Sequence, residues 1–174
     1  MKLRADLTIN GENRLPVLIS GPNELDEHVK HKLAAYILFW NDEPTLDASL
    51  KMPALSNFEF MPDLIAFDLG GAIKLWVEVD TVTQHQLTKV TRRAPDARVV
   101  VLKQNARDAQ RLRAELETQF DRPERVEIFA WPAGIYKDWL KTVGEKVEAF
   151  GESDGRMINA VVNEVPLVVE FESY

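Results

Sequence analysis

The chain has 174 residues, 45% of them hydrophobic and 28% charged, with a formal net charge of −7. That length suits one domain spanning 1–174, and that balance supports a packed core and excludes a disordered chain. There is no cysteine, which excludes disulfides and cysteine-ligated zinc and points to a reducing compartment.

The first segment, Met1-Lys2-Leu3-Arg4-Ala5-Asp6, lacks the apolar run of a signal peptide. Leu3, Ala5, Leu7 and Ile9 then alternate with polar residues up to Asn10-Gly11, which predicts a strand and a hairpin turn, with residues 15–19 as the return strand. Gly21-Pro22-Asn23 opens a helix. Asn23 is placed to cap its free N–H groups, and Glu24, Asp26 and Glu27 suit the positive end of its dipole. Leu25, Val29, Leu33, Tyr36, Ile37 and Trp40 recur at helical spacing, so the helix lays one stripe on a core.

Residues 64–67 form a short apolar run after Pro62-Asp63, and Gly70-Gly71 reads as a turn. In residues 73–79, Ile73, Leu75 and Val77 alternate inward while Lys74, Trp76 and Glu78 take the other face. Residues 81–93 are helical and stop at Pro95. The β-branched run 99–102 has the character of a buried parallel strand. A helix over 106–120, a strand over 126–130 and a short helix over 135–143 follow, and residues 146–172, with Asp154-Gly155 among them, form a closing hairpin. This order predicts an α/β fold: a mixed β-sheet flanked by helices, with right-handed crossovers and hairpins at both ends. No stretch approaches the ~18 apolar residues of a membrane span. Cytoplasmic residence and no membrane partner are the expectations, and the composition leaves the oligomeric state open.

Charge is unevenly spread. Residues 85–113 hold eight basic residues against Asp96 and Asp108, while residues 143–174 hold seven acids against Lys146 and Arg156. Solvated helix faces account for such runs. The sharper reading is a basic flank that attracts phosphates, with Arg92, Arg93 and Arg98 as its candidates.

Asp63 and Glu78 lie on or beside neighbouring strands joined by the Gly-Gly turn. If those strands pair antiparallel, the two carboxylates converge at one end. Close carboxylates repel unless a cation sits between them, and Mg²⁺ favours carboxylate and water oxygens. Acids at strand ends are also ordinary surface residues. His28 and His31 are spaced to share a helix face, yet no further ligands complete a zinc set. Trp40, Trp76, Trp131 and Trp139 sit in apolar-periodic segments and read as core, with Trp76 sharing the face of Glu78. Phosphate-binding glycine loops, nucleophile elbows and HExxH are absent.

Pro62-Asp63-Leu64, Asp68-Leu69 and Ile73-Lys74-Leu75-Trp76-Val77-Glu78 resemble the signature of the YaeQ family, a little-characterised group of bacterial proteins. Asn23-Glu24-Leu25-Asp26-Glu27 with Leu33-Ala34-Ala35-Tyr36 resembles the family's first helix, although Asn-Glu-Leu stands where the family usually has Ser-Glu-Thr. The tail with Asp154-Gly155 resembles its closing hairpin.

The resemblance implies a restriction-endonuclease-like fold of the PD-(D/E)xK superfamily. In active members an Asp after Pro and an acid on the next strand hold Mg²⁺, and a Lys two residues further on activates water. Asp63 and Glu78 match the two acids, with Mg²⁺ or Mn²⁺ as the implied cofactor. The Lys position is Asp80, which cannot donate to a developing oxyanion. Lys89, on the following helix, is the candidate replacement, near a point where the family also carries a Lys. Glu24 and Glu27 are candidate accessory acids, since some nucleases of this fold donate a first-helix carboxylate, although acids there also simply stabilise the helix. The implied function is a Mg- or Mn-dependent nuclease or phosphodiesterase with a degenerate site, catalysed by Asp63, Glu78 and Lys89. The alternative is a catalytically inactive nuclease-fold protein serving as a nucleic-acid- or protein-interaction module.

Overall fold

The computed structural model describes residues 1–46 and 48–174. In chain order the elements are β1 (Lys2–Ile9), β2 (Glu12–Arg14), β3 (Val17–Ile19), α1 (Asp26–Leu38), β4 (Leu64–Phe67), β5 (Ile73–Val79), α2 (Gln84–Arg93), β6 (Arg98–Lys103), α3 (Ala106–Gln119), β7 (Val126–Ala130), α4 (Ile135–Thr142), β8 (Lys146–Ser153), β9 (Met157–Val162), β10 (Val165–Glu170) and β11 (Glu172–Ser173). They form two compact units, residues 1–41 with 131–171 and residues 42–130 with 172–174. The α/β class and the helix-flanked mixed pairing are as expected, but the strands divide into two sheets rather than one. Among the described residues no helix is long and apolar enough to cross a membrane.

The first unit carries a six-stranded sheet in the order β10-β9-β8-β1-β2, with β3 also on β1. Leu3, Ala5, Leu7 and Ile9 point into its core. Asn10 and Gly11 take positive φ of 52° and 78°, as a tight hairpin turn requires. The expected single return strand is split around Pro16, which has no N–H to donate: β2 pairs with Leu7–Ile9 and β3 with Lys2–Arg4. On its other edge β1 runs parallel to β8, with Ala5 opposite Val147. Asp154-Gly155 does turn β8 into β9, but the chain continues into β10, so the tail is a three-stranded meander rather than a hairpin.

Helix α1 starts later than its sequence suggests. Leu25, not Asn23, is the N-cap and gives no side-chain cap. Instead Glu24 Oε2 accepts from Gly21 N–H at 2.9 Å. Trp139 Nε1 donates to Lys30 O at 2.9 Å, fastening α4 to α1. His31 is fully buried and its Nε2 accepts from Trp131 Nε1 at 2.9 Å, so it is a core residue and shares no surface face with His28.

The second unit carries a sheet in the order β11-β7-β6-β5-β4. Strands β5, β6 and β7 run parallel, with β4 antiparallel on β5 and β11 antiparallel on β7. One face presents Trp76, Val99, Val101, Val126 and Ile128 to Leu87 and Val90 of α2 and Ala109, Leu112 and Leu116 of α3. The other face, with Leu75, Val77, Val79, Val100 and Leu102, is buried as well. The expected in–out alternation of β5 therefore fails from Leu75 onward, because a central parallel strand is covered on both sides.

Helix α2 begins at Gln84 rather than at residue 81 because Thr83 closes a capping box. Its Oγ1 accepts from Gln86 N at 3.2 Å, and Gln86 Oε1 accepts from Thr83 N at 2.9 Å. Thr83→Ala is expected to cost about 1 kcal/mol, read as a melting-point drop of about 3 °C. An unchanged midpoint would mean that the box contributes nothing.

Candidate metal-binding carboxylate pair

The Asp68–Ala72 turn sets the geometry. Asp68 Oδ1 accepts from Gly70 N and Ala72 N, each at 2.9 Å, and Gly71 takes a φ of 81° that suits glycine. That reversal pairs β4 with β5 in the register Leu64 opposite Val77, which brings Asp63, the residue before β4, beside the end of β5 that carries Glu78. Asp63 N–H donates to Val77 O at 3.1 Å, and Asp63 Oδ2 accepts from Val79 N–H at 2.7 Å. The antiparallel pairing on which convergence depended is thus present.

Glu78 is 4% exposed. Trp76 Nε1, two residues away on the same face, donates to Glu78 Oε1 at 2.8 Å. Burial first, and then the charge of Asp63, push the Glu78 carboxyl up to about 8, while the Trp76 hydrogen bond works the other way. Trp76 is itself fully buried, with the Phe58 and Phe60 rings 4.9 and 5.9 Å from it. It holds Glu78 in place and is not a ligand platform.

Asp80, two residues beyond Glu78, takes a φ of 68°. Its carboxylate accepts from Gln104 Nε2 and its carbonyl from Lys103 Nζ. Burial lowers the Lys103 ammonium below its ordinary value, opposed by the charges of Asp80 and Asp108. These groups line a cleft of about 540 Å³ with Thr81 and Arg111. Lys103 and Gln104 were missed in the sequence. Only the parallel register of Val79 with Leu102 brings them beside Asp80, and register is not written in composition.

The expected basic residues are scattered. Lys89 Nζ is engaged with Glu59 Oε1 at 2.8 Å, so its ammonium is spent on that exposed acid. Arg98 pairs with Glu127 at 2.9 Å and Asp42 at 3.8 Å. Arg93 lies over the Phe58 ring at 5.7 Å, and Arg92 borders a cleft with Arg122 and Arg125. The three arginines therefore do not gather into one group. Glu24 and Glu27 belong to the first unit. There, burial works against ionisation of Glu24, yet Lys32, the Gly21 N–H and His28 hold its carboxyl below the ordinary value. Glu27 is exposed in the first turn of α1.

A family model described as YaeQ protein matches residues 12–150. The chain belongs to the YaeQ family. Two solved YaeQ proteins share its fold. That from Xanthomonas axonopodis pv. citri aligns with a TM-score of 0.74 at 18% identity, over 99% of this chain and 96% of its own. That from Pseudomonas syringae aligns with a TM-score of 0.72 at 18% identity, over 99% and 93%. No curated protein matches the sequence. At such identity the likeness to other YaeQ proteins speaks for the fold alone.

Proposed function

We propose that this YaeQ-family chain is a divalent-cation-dependent phosphodiesterase of nuclease type. In this reading its second unit descends from a restriction-endonuclease-like, PD-(D/E)xK site, and Asp63 and Glu78 would hold Mg²⁺ or Mn²⁺. The observation that carries the reading is Glu78. A carboxyl buried beside a second carboxyl has lost water and met a like charge, and a hard cation relieves both. Trp76 takes Oε1 and leaves Oε2 for such an ion. A cation held there neutralises charge on a phosphodiester and acidifies a bound water.

The chain's own residues would do three things. Asp63, fixed by Val79 N–H, orients one oxygen toward the ion. Glu78 releases its proton when the ion arrives. The Trp76, Phe58 and Phe60 rings keep bulk water from the inner side of Glu78. A second reading draws on Asp80 and Lys89. With a carboxylate in the lysine position and Lys89 on Glu59, the pair lacks the usual cationic helper. A nucleic-acid- or protein-interaction module without cleavage fits those facts.

Calorimetric titration with Mn²⁺ at pH 7 separates these readings from a purely structural pair. Binding is expected with release of about 0.9 proton per ion, because a group titrating one unit above the pH is mostly protonated. Asp63→Ala is expected to weaken binding by about tenfold or more. No heat up to millimolar Mn²⁺ would end the metal reading. Metal binding without cleavage of an oligonucleotide would favour the interaction module.

A further inference from the structure

The basic residues of the second unit regroup in a way that their sequence positions do not suggest. Arg92 comes from the last turn of α2, and Arg122 and Arg125 from the segment that follows α3. All three line one cleft of about 360 Å³, together with Gln119 and a single acid, Asp121. In a chain of net charge −7, the three cations here outnumber the two nearby acids, Asp121 on the lining and Glu124 beside Arg122.

We propose that this cleft is a phosphate-binding site separate from the carboxylate pair. Arg125 is pre-positioned: its Nη2 donates to Ala94 O at 3.4 Å and Ala97 O at 3.2 Å. Those bonds hold the guanidinium on backbone partners rather than in a direct ion pair, although the charge of Glu124 acts on it through space. They also cover carbonyls just past the end of α2, which would otherwise repel an anion. Arg122 is tied to Glu124 at 3.2 Å, with both side chains largely exposed, so the pair exchanges readily with solvent. Arg92 has no ion pair among the described residues. Three arginines on the lining of one opening match a group with several charged oxygens, which is the chemistry of a phosphate rather than of a single carboxylate.

The cleft is distinct from the carboxylate pair by position. Strands β5 and β6 are parallel, and Leu75 stands opposite Arg98 while Glu78 stands opposite Val101. Glu78 therefore lies ~10 Å further along the sheet than the start of β6. Helix α2 leaves the Glu78 end and delivers Arg92 to the other end, ~12 Å from Gln84. The site thus stands whether or not Asp63 and Glu78 hold a cation.

The test is a titration of the full chain with inorganic phosphate in a chloride buffer, followed by arginine side-chain NMR. Saturable shifts are expected with a Kd on the order of 1 mM. Arg92→Gln combined with Arg122→Gln spares Arg125 and its backbone bonds, and should weaken binding by about tenfold at an unchanged melting point. Asp63→Ala should leave phosphate binding unaltered. Wild-type shifts that fail to saturate, a double variant that binds like the wild type, or loss of binding in Asp63→Ala would each overturn the proposal. A single-stranded oligonucleotide added to the phosphate-loaded protein identifies the source of the group. Displacement of phosphate that depends on Arg92 and Arg122 assigns the site to a nucleic-acid backbone. Undisturbed phosphate assigns it to small phosphate esters.

Discussion

Glu78→Gln becomes more stable than the wild type as pH rises, and the two are equally stable near pH 4. The sign follows from where the proton sits. In the unfolded chain Glu78 loses its proton near 4.5, while in the folded protein it holds it up to about 8. Between those values the native state carries one more proton than the unfolded state, so stability falls by about 1.4 kcal/mol per pH unit. The stabilisation is complete below 4.5 and gone above about 8. Its full extent is at most about 5 kcal/mol. Glutamine keeps an oxygen for the Trp76 N–H and carries no proton to lose. Urea unfolding of both chains at pH 5, 7 and 9 reads the effect directly. Parallel stability curves would mean that Glu78 ionises normally and that its burial beside Asp63 is misjudged. Millimolar Mn²⁺ should flatten the wild-type curve, because a cation replaces the proton.

Gly151→Ala should be among the most damaging single changes in the first unit. A Cβ at this position would lie 2.2 Å from Asn159 O and 2.5 Å from Ala160 Cα. Both atoms are backbone of β9, paired with β8 across Gly151–Ala160, so no side-chain rotation relieves the overlap. The sheet must open locally, at a cost of about 3 kcal/mol or more. For a chain of this size that corresponds to a melting-point drop of roughly 6–12 °C. A midpoint within about a degree of the wild type would show that the strands are not so closely apposed.

Elements governed by local pattern were readable in the residues. The alternation of Leu3 to Ile9, the Asn10-Gly11 and Asp154-Gly155 turns, and the β-branched run of β6 all stand in the structure as expected. What failed depends on partners distant in sequence. Lys74, Trp76 and Glu78 read as the outer face of an alternating strand, with Trp76 alone taken as core, but a strand's second neighbour and covering helices decide whether that face sees water. Asn23 had the chemistry of a cap, yet Glu24 reached Gly21 first and the helix began later. The division of strands between two sheets has no local signal either. At the candidate site, the antiparallel pairing of the strands that carry Asp63 and Glu78 was legible because a short turn sets it. The ion pair of Lys89 was not, because its partner Glu59 lies thirty residues upstream. Lys103, Arg122 and Arg125 escaped notice for the same reason: parallel register and helix ends, rather than spacing, gather them.

The parallel pairing of β1 with β8 has a kinetic consequence. Ala5 and Val147 are neighbours in the sheet, and the whole of residues 42–130 lies between them in the chain. Closing a loop of that length from a flexible chain costs about 4 kcal/mol in entropy before a single rung of the ladder forms. Strand β1 and its turn at Asn10-Gly11 can fold locally, whereas its junction with β8 must await order in the intervening segment. The β1–β8 amides are therefore expected to acquire protection late in refolding, and a change that slows residues 42–130 should delay them in step.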